Sequence, residues 1–176
     1  MTNLCDYSEA GVLKDGTAVT VRAICPDDAD GVLAAFKSAD RDSIYTRFFT
    51  YKKDLSSAEL IQITDVDFDR VVALVVTTSE GNRETLIGGG RYAVSDAADP
   101  SRAAEVAFFT DGAYGGRGLA SLVLGHLVAI ARAKGLRQLE ATVLSGNTPM
   151  LSVFRRSGLP VKESVLGDTV QFRFQL

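Results

Sequence analysis

The chain has 176 residues, of which 46% are apolar and 23% are charged, and this composition is typical of one folded α/β domain rather than a disordered or fibrous protein. Its formal net charge of -3 and its pI near 5.2 exclude the basic surface of a general nucleic-acid binder and suit a cationic partner. Two cysteines, Cys5 and Cys25, and one histidine, His126, cannot supply a four-ligand zinc cluster, and we expect both thiols to be reduced.

The N-terminal ten residues contain Asp6 and Glu9 and have no apolar signal-peptide core, so we expect neither export nor a membrane anchor. The most apolar stretch, residues 119–131, is well short of the roughly 20 residues that cross a bilayer. We therefore predict a cytoplasmic protein in which this stretch is a core helix, with neither a membrane nor a nucleic acid among its partners.

The first third of the chain predicts a hairpin followed by helices. Residues 11–24 form the hairpin, in which Asp15-Gly16 supplies turn residues that tolerate positive φ, and its second strand covers residues 18–24. Apolar residues at helical spacing then predict three helices, which begin at Pro26, near Ile44, and at Ser56 or Ser57.

The rest of the chain alternates between strands and helices. β-branched runs between turn residues predict six further strands, over residues 70–78, 85–94, 102–110, 138–144, 161–164 and 169–174. Helical spacing predicts a helix that begins after a glycine cluster and ends near Gly135, and a shorter helix over residues 147–157. We expect residues 1–16 to be an N-terminal extension with the short hairpin, and residues 17–176 to be a single domain whose mixed sheet is covered on both faces.

The glycine cluster, Gly112, Gly115, Gly116 and Gly118, lies between a predicted strand and a predicted helix. A glycine-rich turn at a helix N-terminus presents free backbone N–H groups and the positive end of the helix dipole, a combination that binds phosphate. A plain glycine turn is the alternative. The stretch has no Gly-Lys-Ser/Thr of a Walker A loop, and Ser121 stands where the Rossmann fingerprint requires its third glycine, so both of those nucleotide sites are disfavoured.

Two segments carry a resemblance to the GNAT superfamily of acyl-CoA N-acyltransferases. Residues 115–120, Gly-Gly-Arg-Gly-Leu-Ala, resemble its Gln/Arg-x-x-Gly-x-Gly/Ala signature, and residues 145–159 resemble its Asn-x-x-Ala…Tyr-x-x-x-Gly-Phe segment. The departures are Gly115, where the family usually has Gln or Arg, and Phe154, where it usually has Tyr.

The resemblance spans roughly residues 19–174 and implies an enzyme of the α/β (α+β) class, a GNAT acetyltransferase domain. Its sheet would be mixed and mostly antiparallel, with about seven strands and about four or five helices. Acetyl-CoA would be the co-substrate, and no metal is implied. The implied coenzyme-binding residues are Phe109, Thr110, Asp111, Gly115, Gly116, Arg117, Gly118, Leu119, Ala120, Ser121, Asn147 and Phe154.

Several of these residues have a second interpretation. Arg117 either contacts the anion or faces water. Asn147 either contacts the coenzyme or caps its helix. Phe154 is expected to be a packing wall beside the coenzyme, and the acid role of the family's tyrosine is then vacant; a thiol with a pKa near 8.5 can leave as an anion without it. His126 lies on the apolar stripe of its helix and is left out of the site.

Glu105 is the candidate general base. A lysine amine has a pKa near 10.4, so at neutral pH it must lose a proton before it can attack a thioester. Glu105 is the only carboxylate between Pro100 and Thr110, and strand alternation places it on the face of Ala107 and Phe109. A solvated strand glutamate is the alternative, and resemblance to the histone-acetylating and bacterial protein-lysine-acetylating branches favours the base, acting through water.

Attack on the thioester places negative charge on the carbonyl oxygen, which a fixed backbone N–H stabilises. By register with the glycine loop, the amide of Phe109 is predicted to fill this role, while the backbone of Thr110 and Asp111 pairs with the pantetheine arm of the coenzyme.

The acceptor amine is predicted to be a protein lysine. Residues 43–49, Ser-Ile-Tyr-Thr-Arg-Phe-Phe, resemble a segment of the bacterial protein lysine acetyltransferases, the Pat-like branch, although local helix packing explains the same residues. A small-molecule amine (a polyamine, an amino acid or an aminoglycoside) is the first alternative, and Asp65, Asp67 and Asp69 would suit a polyamine. A non-catalytic acyl-CoA sensor is the second. The sequence leaves open whether the protein is a monomer or a homodimer.

Overall fold

The computed structural model describes residues 3–39, 55–95, 98–99 and 102–176. Within them lie eight strands: β1 (Ser8–Val12), β2 (Ala18–Ala23), β3 (Val71–Glu80), β4 (Arg83–Val94), β5 (Ala103–Thr110), β6 (Gln138–Leu144), β7 (Val161–Leu166) and β8 (Thr169–Gln175). The α-helices of the same residues are α1 (Ala29–Ser38), α2 (Ser57–Thr64), α3 (Leu119–Ala133) and α4 (Thr148–Arg155).

All eight strands form one sheet in the order β1-β2-β3-β4-β5-β6-β8-β7. Every neighbouring pair is antiparallel except β5 and β6, which run parallel and are connected through α3. A parallel pair needs such a crossover because a tight turn reverses the chain direction. The mixed, mostly antiparallel sheet predicted from the sequence is therefore confirmed, with β1 as one strand more than the predicted seven.

The predicted turns and helix ends agree with the structure in most places. Ser56 caps α2 by accepting a hydrogen bond from the Glu59 N–H. The turn between β3 and β4 is shorter than predicted, because the strands continue to Glu80 and Arg83 and leave only Gly81-Asn82 between them. The predicted helix around Ile44 lies outside the described residues.

Helices cover both faces of the sheet, so the core has two parts. On one face α3 and α4 pack against a large apolar cluster that includes Val123, Leu127 and Phe154. On the other face a smaller cluster, with Val32 and Phe36 from α1, packs on the far side of β3. Among the described residues, no helix has both the length and the apolar character needed to cross a membrane.

Glycines in β4 allow α3 to lie close to the sheet. A Cβ atom added at Gly88 would lie 2.9 Å from Leu119 Cδ2, and one added at Gly90 would lie 2.9 Å from Val123 Cγ1 and 2.6 Å from the Phe108 ring. Real Cβ atoms essentially never approach neighbours this closely, so a side chain at either position would push α3 away. The two glycines thereby place the first turn of α3 directly over β4 and β5.

His126 on α3 is satisfied by a neighbour rather than directed into a site. The Tyr7 hydroxyl and His126 Nδ1 share a hydrogen bond of 2.5 Å, whose direction depends on the imidazole tautomer. Burial lowers the pKa of His126, and the negative charge of Glu9 opposes that shift. A partly buried imidazole hydrogen-bonded to Tyr7 accounts for this residue.

An ion pair ties β2 to the start of α1. Arg22 donates two hydrogen bonds, of 2.9 and 2.8 Å, to the Asp28 carboxylate and two more to the exposed Glu84. The Cys25 N–H donates a further hydrogen bond of 2.8 Å to Asp28. Burial alone would raise the pKa of Asp28, but the hydrogen bonds from Arg22 and Cys25 outweigh it and lower the pKa below its ordinary value.

We predict that Asp28→Asn destabilises the protein by about 3 kcal/mol at pH 7, because it leaves the buried side of Arg22 without its counter-ion. Because the pKa of Asp28 is lower in the folded state, its contribution is present above about pH 4 and is lost as the pH falls through the folded-state pKa. Chemical denaturation of both proteins between pH 7 and pH 3 measures this. Glu84→Gln, which removes the exposed partner of the same arginine, should lower the free energy of unfolding by less than about 1 kcal/mol. Equal losses of stability for the two variants would contradict the conclusion that Asp28 is the main counter-ion of Arg22.

Candidate active site

The loop between β5 and α3 forms an uncapped helix N-terminus. Gly116 and Gly118 have φ angles of 73° and 83°, in the left-handed region that favours glycine. Gly118 is the N-cap of α3, and no side chain accepts a hydrogen bond there. The N–H groups of the first helical residues therefore have no intrahelical acceptor, and the first turn of the helix carries no acid. This arrangement suits an anion.

Arg117, which was predicted either to contact the anion or to face water, is in contact with the first hairpin. Its Nη1 lies 3.0 Å from Asp15 Oδ2, and its guanidinium lies 4.9 Å from the centre of the Tyr114 ring. Arg117 is thus held by the protein itself. Gly115, at the start of the loop, has a φ of −62°, so its backbone conformation does not require glycine.

The sheet separates between β5 and β6. Their parallel pairing covers only three residue pairs, from Ala103–Gln138 to Glu105–Glu140. Beyond this point β5 stays paired with β4 as far as Thr110, and β6 stays paired with β8 as far as Leu144. The gap opens into a cavity of about 180 Å³. Its lining includes Val106 and Phe108 from β5, Thr142 and Val143 from β6, and Asn147, Met150 and Phe154.

The hydrogen-bond phase of β5 determines which backbone groups face this gap. The Asp111 N–H donates to the Ile87 carbonyl at 2.9 Å, and the Ser95 N–H donates to the Ala103 carbonyl at 3.2 Å. The β4–β5 register is unbroken, and hydrogen-bonded pairs alternate with non-hydrogen-bonded pairs along an antiparallel ladder. Phe109 and Gly89 are therefore also a hydrogen-bonded pair, and the Phe109 N–H points to β4. The N–H groups of Phe108 and Thr110 point the other way, into the gap.

This phase corrects two predictions. The amide of Phe109 cannot face an oxyanion in the gap, because it belongs to the β4 ladder. The N–H of Asp111 is also occupied, by Ile87, and its side chain accepts a hydrogen bond from the Ala113 N–H at 2.9 Å. The hydrogen-bond phase could not be predicted from the sequence, because side-chain alternation does not reveal which edge of a strand each N–H group faces.

Glu105 lies at the edge of the cavity, on the side of β5 that strand alternation predicts. It is exposed, and it lines the cavity together with Ala107. Ala107 and Phe109 also line a second, smaller cavity on the face covered by α2. Within the described part of the chain, no hydrogen bond occupies the Glu105 carboxylate. Its oxygens are therefore available to a water molecule or an amine.

Arg91 on β4 is a charged residue of the site that sequence reasoning missed. Its side chain lines both the cavity beside Glu105 and the smaller cavity beside Phe109. Burial lowers the pKa of Arg91, and the negative charge of Glu105 opposes that shift. The available signal was a single charged residue within the otherwise uncharged sequence of residues 85–94.

Asn147 and Phe154 line the cavity from the α4 side and also have structural roles. Asn147 is buried, and its Oδ1 accepts a hydrogen bond of 3.3 Å from the Met150 N–H, which caps α4. Phe154 is 2% exposed, and its ring centre lies 5.2 to 5.9 Å from those of three other phenylalanines, Phe108, Phe172 and Phe174. Phe154 is therefore a wall of the cavity.

No group of three or more His, Cys, Asp or Glu side chains that could hold a metal ion occurs among the described residues. The site consists of an uncapped helix N-terminus, a gap edged by backbone N–H groups, and an exposed carboxylate on the strand between them. Such a site can hold an extended phosphorylated ligand and place its far end beside a base.

Known proteins are similar to this chain in sequence and in fold. The sequence model of the acetyltransferase (GNAT) domain matches residues 18–160. The GNAT domain of S. lividans PAT, a solved structure, superposes with a TM-score of 0.84 at 34% identity, covering 96% of this chain and 97% of that one.

Two curated relatives are more distant. The acetyltransferase PA5475 of Pseudomonas aeruginosa is 28% identical over 138 residues, which are 78% of this chain and 73% of the relative. The acetyltransferase Pat of Mycolicibacterium smegmatis is 28% identical over 146 residues, which are 83% of this chain but only 42% of the relative. The chain thus spans less than half the length of Pat. With a family model that covers most of its length and a solved GNAT domain of the same fold at 34% identity, the chain belongs to the GNAT acetyltransferase family, as an acyl-CoA N-acyltransferase that uses acetyl-CoA.

Proposed function

We propose that this enzyme transfers the acetyl group of acetyl-CoA to a protein lysine, by direct attack of the amine with Glu105 as general base. The observation that carries the proposal is the position of Glu105, an exposed carboxylate at the edge of the gap between β5 and β6. The coenzyme loop lies at the end of the same strand. One strand therefore connects the phosphate end of the site to its base.

The loop and the gap together suit an extended coenzyme. The diphosphate would accept hydrogen bonds from the N–H groups at Gly116, Gly118 and the first turn of α3, residues 119–121. The pantetheine arm would lie in the gap and accept a hydrogen bond from the Thr110 N–H. Backbone groups within a sheet need partners, and the separation of β5 from β6 leaves those of β5 to a ligand.

The reacting groups would meet beside Glu105. The amine nitrogen attacks the thioester carbonyl, the C–N bond forms and the C–S bond breaks, and the amine proton passes through a water molecule to Glu105. We assign the developing oxyanion to the Phe108 N–H in place of the Phe109 N–H, because Phe108 lines the cavity. Phe154 cannot donate a proton, so the thiolate leaves as the anion and takes its proton from solvent.

The lysine acceptor is supported by the relatives and by weaker support for a polyamine acceptor. The GNAT domain at 34% identity and the more distant Pat protein both belong to acetyltransferases named Pat. Two of the three acids that suited a polyamine have other contacts: the Asp67 carboxylate accepts hydrogen bonds from three backbone N–H groups, and Asp69 pairs with Lys134 at 3.4 Å. Both line a cavity at the C-terminal end of α3, and neither lines the cavity of Glu105.

Thiol release from acetyl-CoA tests the acceptor class. We expect release with lysine-containing peptides and with a folded protein substrate, and at least about tenfold lower kcat/KM with spermidine, free amino acids or an aminoglycoside. The matched control is each peptide with its lysine replaced by arginine. Release with small amines alone would move the assignment to the small-molecule alternative.

Glu105→Gln tests the base. We expect kcat to fall about 100- to 1,000-fold while the Kd for acetyl-CoA, measured by isothermal titration, stays within about twofold, because the amide keeps the shape but cannot take the proton. Glu140→Gln is the matched control: Glu140 is the partner of Glu105 in the β5–β6 pairing and is held by Gln138 and Arg173. Full turnover by Glu105→Gln would show that the base is another group, and a chain that binds acetyl-CoA without any turnover would be the non-catalytic sensor.

Gly118→Ala tests the coenzyme loop. Its φ of 83° is unfavourable for alanine by about 1 to 2 kcal/mol, and the added Cβ would lie 3.0 Å from Lys14 Cγ. We expect a Tm lower by a few degrees and acetyl-CoA binding weaker by about fivefold or more. Gly81→Ala, in the β3–β4 turn, has a φ of 61° with open space around its Cβ, so it should lose similar stability and no affinity. Equal affinities for both variants would contradict a coenzyme role for the loop.

A further inference from the structure

The turn between β1 and β2, residues 13–17, is fastened to the coenzyme loop. The Lys14 N–H donates a hydrogen bond of 2.9 Å to the Arg117 carbonyl, and Asp15 pairs with the Arg117 side chain. The turn is itself closed by a hydrogen bond of 2.9 Å from the Leu13 N–H to the Thr17 carbonyl, and Leu13 is only 4% exposed. A segment roughly 100 residues away in sequence therefore holds a fixed position beside the loop.

The Lys14 side chain lies along the N-cap of α3. A Cβ built on Gly118 would be 3.0, 3.3 and 3.1 Å from Lys14 Cγ, Cδ and Cε, so the aliphatic stem packs against Gly118. The ammonium group is one bond beyond Cε. It is therefore within a short distance of Gly118, the residue that precedes the first N–H groups of α3.

The two cations beside this turn differ in their partners. Arg117 forms an exposed ion pair with Asp15, and Gly115 has no side chain to reach an anion. Within the described ranges, 3–39, 55–95, 98–99 and 102–176, no carboxylate lies within 4 Å of the Lys14 ammonium. An ammonium of this kind is a flexible point charge with three donors, which suits a diphosphate whose oxygens already face backbone N–H groups.

We propose that Lys14 binds the diphosphate of acetyl-CoA, so that the β1–β2 turn is part of the coenzyme site. This inference rests on the proposed function, since it takes the α3 loop to be the phosphate end of the site. It gives the first hairpin a role in coenzyme affinity, through a side chain from outside the loop. Removing the charge should weaken coenzyme binding without changing the chemical step. Lys14 lies beside Gly118, in the loop that follows β5, whereas Glu105 lies near the start of that strand.

Isothermal titration of acetyl-CoA into wild type, Lys14→Met and Lys14→Arg tests the charge. Methionine keeps most of the stem, and we expect it to raise the Kd about tenfold, while arginine keeps the Kd within about threefold. The difference should shrink at high salt, because exposed charges are screened. Lys162→Met, an exposed lysine on β7, is the matched control and should bind as wild type does.

S-acetylpantetheine, which carries the thioester without any phosphate, identifies the group that Lys14 contacts. Its kcat/KM should be the same for wild type and Lys14→Met, whereas that for acetyl-CoA should differ. A Lys14→Met variant that binds acetyl-CoA like Lys162→Met would overturn the inference. The inference would also be overturned if wild type and Lys14→Met bound acetyl-3′-dephospho-CoA equally well, because Lys14 would then contact the 3′-phosphate. Failure of the wild-type protein to bind acetyl-CoA would instead overturn the proposed function.

Discussion

The site depends on the separation of β5 from β6. Only three residue pairs join these strands, yet each continues to pair with its other neighbour, so the sheet is two well-paired parts joined at one end. A sheet interior normally satisfies its own backbone groups, and an unpaired edge there is stable only if it has other partners. Packing on either side keeps the gap open: α4 places Asn147 and Met150 at it, and the ring of Phe154 packs against the phenylalanines of β5 and β8.

The anion-binding end of the site depends on a different constraint, the close approach of α3 to the sheet. Gly88 and Gly90 have no side chains where α3 crosses β4, and this brings Leu119 and Val123 into direct contact with the strand. The N-terminus of α3 then follows the end of β5 through the glycine loop. A larger residue at either glycine would therefore disturb both the helix packing and the position of the loop that we propose for the coenzyme.

Glu105 combines exposure with a nearby cation. It is open to solvent and lines the same cavity as Arg91, whose partly buried positive charge favours a negative charge nearby. Arg91 also lines the smaller cavity beside Phe109. The cavity that we propose as the acceptor site therefore contains a cation as well as the carboxylate.

The sequence by itself determined most of the described strands and helices, the position of the glycine loop, and the face of β5 on which Glu105 lies. Alternation along β5 placed Glu105 correctly, and Gly116 and Gly118 marked the loop, because side-chain periodicity and left-handed glycines are local properties of the chain. Only the tertiary structure decided which amides of β5 face the gap, because hydrogen-bond phase depends on the register with β4. It also decided that Arg117 is held by Asp15 and that Lys14 lies along Gly118, because those contacts join segments roughly 100 residues apart and have no local signal.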